Sequence, residues 1–202
     1  MKRSLLVISA LLFATAVHMP LMVTAAVKNR LTEDYWQIVS TNGMAVSNLG
    51  KFENEAVLYL EKSDVTNPNQ AWIFIKVGES EYNIAKPDTF KSIDNDYTGK
   101  PDGNPVIQWT TTNGNPNQVW VLEQIGDDSY VIRSKNTGMY LSYIGEDAAG
   151  SPVGHVPADI SHEKTHWVLR KMEVTFDTEE LRTSSKEDWE NETVFAINRE
   201  RG

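Results

Sequence analysis

The 202-residue chain contains no cysteine. This absence excludes disulfide bonds, catalysis by a thiol and a lipid anchor on an N-terminal cysteine. For an exported chain, the lack of disulfides favours a bacterial periplasm or cell surface over an animal extracellular space.

Basic residues are few, with 19 Lys and Arg against 28 Asp and Glu, so the formal net charge is −9. Proteins that bind nucleic acid typically carry a basic surface, and the composition therefore predicts no nucleic-acid partner. The acidic excess otherwise mainly favours solubility.

A long hydrophobic run is also missing from the N-terminus, where a shorter run stands in its place. Lys2 and Arg3 precede the apolar residues 5–14, and small residues follow up to Ala25 and Ala26. This order is typical of a secretory signal peptide, and the run is shorter than the ~20 apolar residues that span a bilayer. We predict a signal peptide over 1–25, a secreted or periplasmic bacterial location and no membrane insertion of the mature chain. Removal of the signal leaves 17 basic and 28 acidic residues, a net charge of −11.

The chain does contain an internal repeat. The letters NPNQAW at 67–72 return as NPNQVW at 115–120, and the tryptophans Trp72, Trp120 and Trp167 are 48 and 47 residues apart. Each tryptophan begins an alternating segment (WIFIKV, WVLEQI and WVLRKM), a pattern that favours a β-strand. Three shorter apolar segments separated by turn residues precede each tryptophan. The sequence therefore predicts three copies of about four strands.

The number of copies selects the fold. A β-propeller needs at least about four blades, and a solenoid carries polar end caps that are not visible here. Three four-stranded units that close around a pseudo-threefold axis form a β-trefoil, and closure removes exposed strand edges. We predict an all-β protein with a β-trefoil over 30–173 and an extended tail over 174–202.

Two short patterns resemble metal sites. Residues 162–167 read HEKTHW and contain H-E-x-x-H, which binds zinc only where a helix places both histidines on one face. Because Trp167 belongs to the repeat, we expect these letters to span a loop and the start of a strand. Residues 94–99 resemble half of a calcium loop, but Pro105 stands where the bidentate glutamate is required. We predict a turn there, and no metal or cofactor.

The three Gln-x-Trp-like repeats resemble the ricin B-type lectin domain over about 145 residues. That resemblance implies a β-trefoil that binds sugars, often galactosides. It also implies a pocket made within one repeat by an acid, an aromatic platform, a loop asparagine and the glutamine that holds the loop. In the middle repeat the matching residues are Asp94, Trp109, Asn113 and Gln118, although the loop before Gln118 is one residue longer than the family pattern.

The chemistry of this set suits a sugar. A carboxylate makes charge-assisted hydrogen bonds with hydroxyl groups, and a tryptophan offers a large apolar face at little entropic cost. The alternative interpretation makes Asp94 an ordinary turn acid and Trp109 a core aromatic.

The outer repeats match the pattern less well. We place Ser47 and Ser142 at the acid position, Tyr59 and His155 at the aromatic position, and Thr165 in place of the motif glutamine. Both repeats are therefore predicted to be structural copies. In all three copies the motif tryptophan is predicted to belong to the core.

The tail carries a second resemblance. Residues 188–191 (DWEN) and 198–200 (NRE) resemble the N-terminal segment of family 2 glycoside hydrolases of the β-galactosidase type. That resemblance implies a lectin module that raises the local substrate concentration of a secreted enzyme. The chain itself lacks residues that match the catalytic domain. The alternative is a trefoil that binds or inhibits another protein without binding sugar.

Overall fold

The computed structural model describes residues 34–95, 104–157 and 162–176. The predicted signal peptide, the tail beyond residue 176 and residues 96–99 of the calcium-like pattern lie outside these ranges. Within them, no helix has the length and hydropathy of a membrane span.

The described residues form thirteen β-strands and three short 3₁₀ helices. The strands are β1 (Trp36–Ser40), β2 (Met44–Ser47), β3 (Ala56–Val57), β4 (Tyr59–Lys62), β5 (Ile73–Lys76), β6 (Glu81–Ala85), β7 (Lys91–Asp94), β8 (Ile107–Thr110), β9 (Val119–Gln124), β10 (Ser129–Ser134), β11 (Tyr140–Tyr143), β12 (Val153–Val156) and β13 (Trp167–Lys171). The 3₁₀ helices are Pro68–Gln70, Pro116–Gln118 and Glu163–Thr165.

Six strands close into a barrel in which every pairing is antiparallel. The pairs β1–β13, β5–β6, β6–β9, β9–β10 and β10–β13 form the ladder. A bridge between Trp36 and Trp72 links β1 to the start of β5. The last strand thus returns to the first, which leaves the barrel no open edge.

Three hairpins cover one end of this barrel. They are formed by β2–β4, β7–β8 and β11–β12. Bridges from Tyr59 to Pro152 and from Pro105 to Gly154 join neighbouring hairpins, and β3 pairs with β8. A six-stranded barrel with three hairpins is a β-trefoil, and the predicted fold class is confirmed.

The motif tryptophans lie where barrel and hairpins meet. Trp72, Trp120 and Trp167 are at most 1% exposed. Each indole Nε1 donates to a backbone carbonyl in the second strand of its own repeat. The acceptors are Val46 at 3.0 Å, Ile93 at 2.9 Å and Leu141 at 3.0 Å. These bonds satisfy the buried indoles, and the predicted place of all three tryptophans in the core is confirmed.

A 3₁₀ helix precedes each motif tryptophan. Asn67 and Asn115 cap the first two by accepting from the backbone N–H two residues later, at 3.0 Å in each case. In the third, His162 Nδ1 accepts from the Lys164 N–H at 3.3 Å, and β13 begins at Trp167. The H-E-x-x-H letters thus cover a 3₁₀ helix and its two caps and end one residue before the strand. The sequence predicted a loop and the start of a strand, so the exact placement differs, but no α-helical face brings the two histidines together.

Lys86, which directly follows β6, is completely buried although its side chain is basic. Its Nζ donates to the carbonyl oxygen of Pro68 and lies 5.4 Å from the centre of the Trp72 ring. Burial lowers the pKa of Lys86 from its usual 10.5 to about 8, against the opposing effect of Asp88. The ammonium group therefore costs stability at neutral pH, where both the folded and the unfolded chain hold the proton.

This burial predicts an unusual pH dependence of stability. The folded-state pKa of Lys86 lies below the unfolded value. The destabilisation by the buried ammonium group is therefore greatest below pH 8 and disappears as the pH rises through 8 towards 10.5. Relative to Lys86→Met, the free energy of unfolding of the wild type is expected to rise by about 2 kcal/mol between pH 7 and pH 9.5. Urea denaturation of both proteins across this range measures the difference. If the difference in free energy of unfolding between the two proteins does not change with pH, the pKa of Lys86 is not lowered by folding.

Candidate functional site

The hairpin β7–β8 carries the predicted acid and the predicted aromatic platform. Its register pairs Asp94 with Ile107 and Ser92 with Trp109. Ile93 packs in the hydrophobic core, so its neighbours Ser92 and Asp94 lie on the opposite face of the hairpin. Trp109, opposite Ser92, shares that face. Asp94 and Trp109 are therefore diagonal neighbours, a spacing that long side chains bridge. We call this face of β7–β8, with the turn 111–117, the cradle.

The burial of the two residues differs. Trp109 is partly exposed and lies outside the core cluster, unlike the three motif tryptophans. The alternative in which Trp109 is a core aromatic is therefore wrong. Asp94 is only 5% exposed. Hydrogen bonds to a carboxylate in such poorly solvated surroundings are stronger than they are in water.

Gln118 fixes the start of the turn in the cradle by hydrogen bonds to its backbone. It is completely buried, its Nε2 donates to Thr110 O at 3.0 Å, and its Oε1 accepts from the Thr112 N–H at 2.8 Å. Gln70 makes the equivalent pair of bonds in the first repeat, to Lys62 O at 2.9 Å and from the Asp64 N–H at 3.0 Å. The geometry makes Gln118 a positioning residue.

Asn113 is exposed in the turn that Gln118 holds. A bond from the Asn115 N–H to Thr112 O, at 3.2 Å, closes the turn around it. Gly114 follows with φ of +76°, a conformation that glycine adopts without strain. Asn113 therefore projects from a structured turn beside the strand that carries Trp109.

Asn95 fixes the other side of the acid, and the sequence analysis missed it. Its backbone N–H donates to Asn117 O at 3.1 Å, and its Nδ2 donates to Ser134 Oγ in the third repeat at 2.6 Å. With the Trp120 bond to Ile93 O, both neighbours of Asp94 are anchored, which preorganises the acid. A signal was present, because Asn48 follows Ser47 in the first repeat as Asn95 follows Asp94.

The three indole bonds align the repeats and correct one part of the sequence analysis. Ile93 pairs with Gln108 and Leu141 pairs with His155, so His155 occupies the position of Gln108. The position of Trp109 is taken in the third repeat by Val156.

The same alignment applies to the first repeat. Val46 pairs with Leu60, so the position of Trp109 is taken by Glu61, while Tyr59 corresponds to Ile107. The prediction that Tyr59 and His155 stand at the aromatic position is wrong. Ser47 and Ser142 do stand at the position of Asp94, and only the middle repeat combines an acid with an aromatic platform.

The side chains of the described residues form no candidate metal centre. No group of three or more His, Asp or Glu side chains within the described ranges is arranged to hold an ion. The cradle itself presents hydrogen-bonding groups and the partly exposed ring of Trp109.

Comparison with protein families and with solved structures agrees with the β-trefoil fold. Residues 68–156 match the family model described as ricin-type beta-trefoil lectin domain-like. That segment runs from the first 3₁₀ helix to the end of β12 and includes the whole cradle. A search of curated protein sequences finds no match.

Three similar structures illustrate the fold. A designed threefold-symmetric protein, ThreeFoil, has 21% identity and a TM-score of 0.63, and the match covers 68% of this chain and 99% of that one. An exo-β-1,3-galactanase from Clostridium thermocellum has 24% identity and a TM-score of 0.63, with 69% and 30% covered. A Polyporus squamosus lectin bound to the epitope Neu5Aca2-6Galb1-4GlcNAc has 20% identity and a TM-score of 0.57, with 68% and 49% covered. The matched part thus spans about a third of the galactanase and half of the lectin.

Proposed function

We propose that the trefoil is a carbohydrate-binding module that binds galactose-containing glycans in the cradle. The observation that carries this proposal is the diagonal placement of Asp94 and Trp109 on one face of the β7–β8 hairpin, with both neighbours of Asp94 anchored. Sugars present hydroxyl groups along their edges and C–H bonds on their faces. An acid beside a flat aromatic ring matches both features.

Each residue has a separate role in this proposal. The Asp94 carboxylate accepts hydrogen bonds from two sugar hydroxyls, and the Trp109 indole packs against the C–H face of the ring. Asn113 adds a polar contact from the turn, and Gln118 keeps that turn in place without touching the sugar. One shallow cradle with one aromatic platform gives weak affinity, because much of the bound sugar stays solvated.

The similar proteins support a glycan ligand. The matched family model is that of a lectin-like domain, one similar structure is an exo-β-1,3-galactanase, and another is a lectin bound to a galactose-containing epitope. The preference for galactosides is proposed from the ricin B-type resemblance and from these two similar proteins.

A calorimetric titration with lactose tests the role of Asp94. Asp94→Asn is expected to weaken lactose binding about tenfold, because a charged hydrogen-bond acceptor becomes neutral. Asp127→Asn is the matched control, since Asp127 is exposed in the turn between β9 and β10. Equal affinity of the Asp94 variant and the wild type would remove the acid from the site.

The second candidate function, binding to a protein surface, is favoured by the loop 48–55. Phe52 is 60% exposed and Leu49 is 39% exposed in this loop. Binding to an immobilised galactose-terminated glycoprotein, before and after enzymatic removal of its glycans, separates the two functions. The sugar proposal expects binding to disappear with the glycans. Binding that persists, and that Phe52→Ser abolishes, would favour a protein partner.

We also propose, from the sequence alone, that the module is exported and that it served a β-galactosidase-like enzyme. The proposal rests on the signal-like residues 1–25 and on the resemblance of residues 188–200 to family 2 hydrolases. N-terminal sequencing of the protein from the periplasm or the medium is expected to start at Ala26 or Val27. An intact Met1 would contradict export through this signal.

A further inference from the structure

The outer edge of β8, the strand that carries Trp109, is paired with the first repeat. Strands β3 and β8 form a short antiparallel ladder, with Ala56 opposite Gln108 and Val57 opposite Ile107. The Glu55 N–H extends it by donating to Gln108 O at 3.0 Å. The backbone ladder stops there, one residue before Trp109.

Where the backbone ladder stops, the side chain of Asn54 provides the next hydrogen bonds to β8. Asn54 Oδ1 accepts from the Thr110 N–H at 2.9 Å, from Thr110 Oγ1 at 3.1 Å and from Lys91 Nζ at 2.7 Å. Lys91 lies opposite Thr110 in the β7–β8 pairing. One amide oxygen from the first repeat thus takes the place of a missing backbone carbonyl and joins both strands of the cradle.

The residue before Trp109 is fixed from the same loop. Gln108 is completely buried, and its Nε2 donates to Lys51 O and to Glu53 O, each at 2.9 Å. Its Oε1 accepts from Asn48 Nδ2 at 3.3 Å. Trp109 therefore stands between two residues that are both tied to the loop 48–55 of the first repeat.

We propose that Asn54 is a positioning residue for Trp109, so that the binding site in the middle repeat is completed by the first repeat. This inference rests on the proposed sugar-binding function. The direction of a side chain on a strand follows from its backbone, and without Asn54 the edge of β8 at Thr110 has no acceptor for its N–H. An unpaired edge frays locally, and the indole then loses its fixed orientation.

Two variants of Asn54 separate positioning from general stability. Asn54→Ala removes the shared acceptor, while Asn54→Asp keeps a side-chain oxygen in the same place. Asn67→Ala is the matched control, because it removes an asparagine acceptor from the cap of the first 3₁₀ helix, where the donor is the Asn69 N–H. Lactose affinity is measured for each, together with the indole N–H resonance of Trp109, assigned by its loss in Trp109→Phe.

The expected result is specific to Asn54. Asn54→Ala weakens lactose binding about fivefold and shifts the Trp109 resonance, because only part of the lost hydrogen bonding reaches the ligand. Asn54→Asp restores both, and Asn67→Ala changes neither even though it lowers the unfolding temperature. Wild-type affinity and an unchanged resonance in Asn54→Ala would overturn the inference, and so would equal losses in Asn54→Ala and Asn67→Ala. If the wild type does not bind lactose while Asn54→Ala shifts the resonance, the proposed function fails and the positioning role stands.

Discussion

Replacing Trp120 by alanine is expected to lower the free energy of unfolding by about 4 kcal/mol. The indole is 1% exposed, and its removal leaves a large cavity between barrel and hairpin. It also removes the 2.9 Å bond to Ile93 O, so that a buried carbonyl loses its donor. Urea denaturation followed by far-UV circular dichroism measures the loss, and Trp120→Phe provides a milder variant should the alanine variant fail to fold.

Trp109→Ala is the control for this first prediction, because it removes the same atoms from a partly exposed position. Its cost is expected to be about 1 kcal/mol, as burial and not residue type sets the loss. Similar losses for the two variants would contradict the assignment of Trp120 to the core and of Trp109 to the surface.

The same Trp109→Ala variant is expected to weaken lactose binding at least about 30-fold, a loss of about 2 kcal/mol. The indole is the aromatic platform of the cradle, and alanine leaves no flat apolar surface for the sugar ring. Quenching of tryptophan fluorescence during the titration is expected to disappear with the residue. Isothermal titration calorimetry of both proteins measures the change in affinity.

A conservative variant refines this second prediction. Trp109→Phe keeps a smaller ring in the same strand and is expected to retain part of the affinity. Unchanged affinity in Trp109→Ala would show that the sugar binds elsewhere, for instance beside Tyr59 of the first repeat. Complete loss in Trp109→Phe as well would point to the indole N–H, and not the ring face, as the main contact.

Much of this architecture was predictable because it repeats. Trp72, Trp120 and Trp167 stand at nearly equal spacing, and each begins a strand whose apolar residues alternate. Three copies of such a unit bury their apolar faces only by closing on one another. The fold, the buried tryptophans and the lack of an α-helix at the H-E-x-x-H segment therefore followed from the repeat, and the loop-holding role of Gln118 followed from the family resemblance.

The alignment of the third strands was not predictable to the residue. In a strand every shift by one residue moves a side chain to the other face, and the loops before Tyr59, Trp109 and His155 differ in length and composition. Only the indole bonds to Val46, Ile93 and Leu141 reveal the common register.

The contacts between repeats were hidden for a different reason. The acceptor role of Asn54 towards β8 and the bond of Lys86 to Pro68 O join residues that are distant in the chain and have no counterpart in the repeat pattern. In the sequence they resemble ordinary polar residues of turns. Their function depends on how one copy packs against the next, which a periodic pattern does not encode.

The most direct test of the cradle is a crystal structure of the protein soaked with lactose. We predict a galactose ring stacked on the Trp109 indole, two of its hydroxyls within hydrogen-bonding distance of the Asp94 carboxylate, and Gln118 bonded to the turn without touching the sugar. A galactose ring seated instead in the first or third repeat, with Trp109 and Asp94 uncovered, would contradict it.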